Sequence, residues 1–145
     1  MGVKCKRSTL VLGSLLITFV ALRLYLHQFP GTNLDLAGYN IHHLFIGLLL
    51  ITLGGMPLAL CDGSSRWLDI AALLFGVGLS MALDEWVYLI ATDGSDTSYL
   101  LPVSLWGGVL MIGVATAYVL LIRCLVGEHK RDKPAADCGQ ERKVR

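Results

Sequence analysis

The chain has 145 residues, 54% hydrophobic and 16% charged, with a mean hydropathy of +0.63 and a formal net charge of +1. That is too apolar for an ordinary soluble domain and matches the balance of a polytopic membrane protein. A near-neutral chain with no basic stripe and no interleaved aromatics argues against a nucleic-acid partner.

Four apolar stretches, 9–29, 41–61, 67–92 and 100–126, each reach the roughly 20 residues needed to cross a bilayer core. Only helices and closed barrels satisfy every backbone group in lipid, and these runs are too long for strands. The expected fold is therefore all-α: a polytopic membrane protein with an antiparallel four-transmembrane-helix bundle over 1–127, then a charged tail over 128–145. The tail is polar from Glu128 onward and reads as solvated or lying on the membrane surface.

The first stretch follows a basic start, Lys4, Lys6 and Arg7, as a signal peptide would. Its apolar run is long and no small-x-small cleavage site precedes Pro30, so it reads as a retained helix. Lys6 stands where a myristoylation signal on Gly2 wants Ser or Thr. The second stretch opens on His42 and His43, carries Gly47 and Gly54, and meets a possible kink at Pro57. Asp62-Gly63-Ser64-Ser65 predicts a tight turn, with Ser64 or Ser65 capping the third helix. On that helix Ala72, Gly76, Ser80, Asp84 and Tyr88 fall four apart, beside a second stripe of Gly78, Ala82 and Glu85. Small residues at this spacing let helix backbones come close. Asp93-Gly94-Ser95-Asp96 predicts a turn, and Pro102 suits the first turn of the fourth helix, where Gly107, Gly108, Gly113 and Ala117 offer further packing positions.

Lys and Arg set the expected orientation. They occur at the amino end, at Arg66 in the second connection, and at the carboxyl end in Arg123, Lys130, Arg131, Lys133, Arg142, Lys143 and Arg145. The connections 30–40 and 93–99 contain none. The positive-inside rule then places both termini in the cytoplasm. Cys5, Cys61, Cys124 and Cys138 fall on that same side, so reduced thiols are expected, and no C-x-x-C spacing suggests a thiolate zinc site.

Asp84 and Glu85 carry the chemistry. Each acidic residue inside a span costs roughly 2.5–3.5 kcal/mol on insertion scales, so the pair is expected to face the protein interior and find partners. Three readings are open. In the first, His43 and His42 with Asp84 or Glu85 hold zinc, iron or manganese. Neighbours on a helix point about 100° apart, so one member of each pair would ligate and the other support it. In the second, Arg23 neutralises one of the carboxylates across the bundle, with His43 and Tyr88 completing the hydrogen bonds and His27 stacked one turn beyond Arg23. In the third, carboxylate and histidine form a proton relay or a small-molecule pocket. Ser80 and Ser104 lack the context of a catalytic nucleophile. A structural or accessory role follows from the second reading, a metal-dependent enzyme acting on a lipid from the first, and a proton-coupled or small-molecule transporter from the third. Expected partners are membrane lipids, a second copy of the chain or another membrane protein.

Ile41-His42-His43-x-x-x-Gly47, followed by Leu83-Asp84-Glu85 and an acidic turn, resembles a group of small bacterial integral membrane proteins without an assigned activity. These pair a His-His motif opening one helix with an Asp-Glu motif in the next. The resemblance covers about residues 36–99 and implies a bacterial inner-membrane location. Members often carry a further histidine two positions before the pair, where this chain has Asn40.

Overall fold

The computed structural model describes residues 3–29, 35–36, 39–40, 43–92 and 98–131, with side chains described for 5–29, 43–92 and 98–126. Four helices fill most of these residues: α1 Val3–Gln28, α2 His43–Leu60, α3 Arg66–Ala91 and α4 Pro102–Arg131. All four are long and apolar enough to cross a membrane. The protein is an all-α, four-helix membrane protein. A two-stranded hairpin, β1 Asp35–Leu36 with β2 Tyr39–Asn40, lies between α1 and α2 and pairs Asp35 with Asn40 and Leu36 with Tyr39. A 3-10 turn, Ser98–Leu100, leads into α4.

Local chemistry sets the helix ends. Ser65 is extended, with φ −126° and ψ 152°, and its hydroxyl accepts the Leu68 N–H, so it is the residue that caps α3. Gly63 just before it has φ +105°, a left-handed conformation that favours glycine. At the other end of α3, Thr92 closes the last turn through its N–H and hydroxyl, both donated to the Tyr88 carbonyl. Pro102 is the first residue of α4, where its missing N–H removes no helical bond. Two ends differ from the sequence expectation. α1 starts at Val3, because Lys4, Lys6 and Arg7 are good helix formers that extend the span into the interface. α4 runs on through Glu128 to Arg131, four residues into the expected tail, for the same reason.

α3 is the hub. Half of its span is buried, against 17% for α1, 11% for α2 and 6% for α4. The contacts run antiparallel and parallel in turn. Gly47 and Gly54 of α2 face Gly78 and Ala71 of α3, so those helices run in opposite directions. Val11 and Ser14 of α1 face Gly76, while Arg23 reaches Asp84, so α1 and α3 run the same way. Gly107 of α4 sits against Val87, and Arg23 bonds to Ser104, which reverses α4 again. The chain therefore runs up, down, up, down.

Both predicted stripes on α3 are buried along their length, Ala72, Gly76, Ser80, Asp84 and Tyr88 as well as Gly78, Ala82 and Glu85. The close approaches are to backbone. A Cβ added at Gly54 would lie 2.5 Å from the Ala71 carbonyl oxygen and 2.5 Å from the Phe75 nitrogen. One added at Gly78 would lie 2.5 Å from the Gly47 oxygen. Backbone cannot rotate aside as a side chain can, so α2 and α3 meet only because glycine stands at the crossing. A smaller apolar centre of Leu15, Leu83 and Ile112, flanked by Phe19, Leu79 and Met111, joins α1, α3 and α4. Gly113 and Ala117 correct the packing expectation for α4: both are exposed, and a Cβ at Gly113 would meet nothing within 4 Å. They sit on the side of α4 opposite Ile112 and Ala115, which pack against Leu15 and Leu83.

Gly54→Ala should destabilise the detergent-solubilised bundle by about 1–3 kcal/mol through overpacking, whereas Gly113→Ala should leave it unchanged or raise its stability by up to about 1 kcal/mol. Thermal melts followed by helical circular dichroism compare the two; equal effects would mean that the α2–α3 crossing does not depend on glycine.

Candidate functional site

Both carboxylates lie in the last third of α3, about two turns before Ala91, and both are fully buried, Asp84 at 0% and Glu85 at 1% exposure. Being adjacent on a helix, they diverge by about 100° and serve different neighbours.

Asp84 faces α1 and α4. The Arg23 guanidinium donates through Nε to Asp84 Oδ1 at 2.7 Å and places its Nη2 2.6 Å from the same oxygen. The other carboxylate oxygen accepts the Tyr99 hydroxyl from the 3-10 turn. Arg23 also donates to α4 and the turn before it: Nη2 to the Ser104 carbonyl at 2.9 Å and to Ser104 Oγ at 3.3 Å, and Nη1 to Ser104 Oγ at 3.3 Å and to the Tyr99 carbonyl at 3.4 Å. The guanidinium also lies 4.3 Å from the Tyr99 ring centroid and 5.8 Å from that of Phe19, within cation–π range. One charge thus ties α1, α3, α4 and the turn before α4. Gly108 makes room for it, since a Cβ there would come within 2.8 Å of Asp84 Oδ1 and 3.0 Å of Arg23 Nη2.

Glu85 faces α2. Its Oε2 accepts the Leu44 N–H at 2.5 Å, in the first turn of α2. The first N–H groups of a helix lack internal partners and carry the positive end of the helix dipole. A carboxylate supplied by α3 therefore caps α2.

His43 opens α2 between the two acids. Its Nδ1 is 3.4 Å from Glu85 Oε2 and its Nε2 3.6 Å from Asp84 Oδ2. Nε2 is buried and makes no hydrogen bond among the described residues. The ring packs edge-on against Tyr99, with centroids 5.8 Å apart, and Tyr88 packs on the other side of Tyr99 at 5.4 Å.

The structure thus brings together Arg23, His43, Asp84 and Glu85. Tyr88 is buried beside them, 2% exposed, but it supports Tyr99 through ring packing, and the hydroxyl that reaches Asp84 is that of Tyr99. His27, one turn past Arg23, is exposed, and among the described residues nothing joins it to the cluster. His42 lies outside the described residues. Among those residues no three His, Cys, Asp or Glu side chains form a group able to hold a metal ion. Sequence reasoning missed Tyr99 and Ser104. Their signal was positional: both flank Pro102, at the start of a span whose depth matches Arg23 and Asp84.

Tyr99 lies in the turn between the α3 and α4 spans, outside both. Burial first, then the Asp84 carboxylate, push its phenol above its usual value of 10.0. The folded bundle therefore holds this proton more tightly than the unfolded chain. Its contribution to stability is complete below pH 10.0 and is lost as pH rises beyond it.

In comparison with known proteins, no family model, no curated sequence and no solved structure matches this chain.

Arg23→Ala or Asp84→Ala each strands the other charge in the interior and should cost about 3–5 kcal/mol of stability. The paired replacement Arg23→Met with Asp84→Leu should recover most of that loss, read from the melts of all three variants in one detergent. In an alkaline titration followed by tyrosinate absorbance, Tyr99 should ionise only on unfolding, so Tyr99→Phe should leave the native amplitude unchanged and lower the unfolded amplitude by one tyrosine.

Proposed function

We propose that this protein is a structural or accessory component of a bacterial inner membrane, with both termini in the cytoplasm, whose polar cluster serves to lock its four helices together. The observation that carries this reading is the occupancy of the two carboxylates. Asp84 is bonded to Arg23 and Tyr99, and Glu85 to the first turn of α2. An acid already committed to an arginine and a helix end is a poor catalytic base and a poor metal ligand, because either task must first break those bonds. The resemblance to small bacterial proteins with the same His-His and Asp-Glu motifs supports the location. The Lys and Arg distribution supports the orientation.

A second reading has one observation in its favour. Among the described residues His43 Nε2 is buried without a hydrogen bond and lies 3.6 Å from Asp84 Oδ2, a position from which it could ligate zinc, iron or manganese together with a carboxylate. Elemental analysis of the purified protein separates the two. The structural reading expects no stoichiometric metal before or after incubation with added ions, and wild-type folding in His43→Gln. One equivalent of metal that vanishes in both His43→Ala and Glu85→Gln would overturn it in favour of the metal-dependent enzyme. Reporter fusions at each terminus test the topology, and activity of an exported reporter at either end would reverse it.

A further inference from the structure

At the far end of the bundle from Asp84, we propose a binding site for the phosphate of an anionic phospholipid, between the start of α1 and the end of α4, with Arg123 and Lys6 as its cationic contacts.

Three parts of the chain bring charge to this end. Among the described side chains, Lys6 and Arg7 come from α1, Arg66 from α3 and Arg123 from α4, against the carboxylates of Asp62 and Asp69. Asp69 is already shared. It takes Lys6 Nζ at 2.5 Å and lies 3.7 Å from Arg7 Nε, while Arg7 donates through Nη2 to the Gly63 carbonyl at 2.5 Å. These contacts pin α1 to the turn before α3. Among the described side chains they leave Arg123 with no acid partner, and its Nη2 donates to Cys5 Sγ at 3.3 Å. A thiol sulfur is a weak acceptor that supplies no charge to balance a guanidinium, whose five donors match a phosphate well. Cys5 is next to Lys6, and Lys6 remains more than half exposed, with two donors left after Asp69. Arg123 thus reaches α1 at Cys5, one residue before Lys6 and at the same end of the bundle.

The surroundings point to a lipid as the source of the phosphate. The same end of α4 exposes Leu121, Ile122, Leu125 and Val126, and Trp67 at the start of α3 is 79% exposed, as befits an indole at the headgroup level. A phosphate seated here has an apolar wall beneath it for acyl chains. Basic residues between membrane helices at the interface bind anionic headgroups in this way, at about 1 kcal/mol for each Lys or Arg near the surface.

The test is native mass spectrometry of the full chain in detergent, titrated separately with phosphatidylglycerol, phosphatidylcholine and inorganic phosphate. Phosphatidylglycerol should bind in preference to phosphatidylcholine, and Arg123→Gln should weaken that preference by about fivefold. Arg66→Gln, which removes an exposed cation outside the α1–α4 contact, should leave it intact. Melts of each variant confirm that the fold is retained, as is expected for Arg123, whose hydrogen bond among the described residues is to a thiol. Equal binding of the two lipids, an unchanged preference in Arg123→Gln, or an equal loss in Arg66→Gln would overturn the site. Inorganic phosphate that displaces phosphatidylglycerol over the same concentration range would overturn the lipid assignment.

Discussion

The Arg23–Asp84 pair is the contact on which the rest of the arrangement depends. An ion pair in a low-dielectric interior is stable only when its geometry is good and its remaining donors and acceptors are filled. Here they are filled from two further elements, by Ser104 on α4 and by Tyr99 in the turn before it. The two charges hold α1 to α3 directly, while the neutral groups that solvate them hold α4. In lipid, where apolar surfaces gain nothing by leaving their surroundings for one another, polar contacts and close packing carry the association.

Small residues make those contacts possible. Gly108 leaves space for the guanidinium, Gly76 lets α1 approach α3, and Gly47 with Gly78 lets α2 approach from the other side. α3 is consequently buried on several faces while its three neighbours leave large apolar side chains exposed, among them Leu24, Phe45, Leu53, Leu110 and Leu121. The polar cluster and the glycine crossings form one system along α3, with charge at one end and close backbone contact along the middle.

Much of this could be read from the chain. Four spans follow from hydropathy and length, and the burial of Asp84 and Glu85 follows from their places on the small-residue stripes of α3. That Arg23 pairs with one of these carboxylates follows from charge and depth; that it is Asp84 is settled by the helix packing. Other features depend on tertiary geometry that local pattern does not encode. Tyr88 shares the stripe of Asp84, yet Tyr99, from a different element, supplies the hydroxyl. Gly113 and Ala117 have the spacing of a packing motif but face away from α3, since spacing fixes a face and not what lies opposite it. The role of Glu85 was hidden for a related reason. Its partner is a backbone N–H of α2, and backbone groups leave no mark in a sequence.

That last contact bears on how the protein is made. The sequence before α2 places no Ser, Thr, Asp or Asn next to its first residue, and the acid that fills the role lies on α3, forty-one residues after Leu44. A nascent chain leaving the ribosome exposes the start of α2 well before Glu85 exists. Until α3 enters the bilayer beside it, the Leu44 N–H at the start of α2 lacks the carboxylate that caps it. A chain arrested between the two helices would hold α2 without that cap.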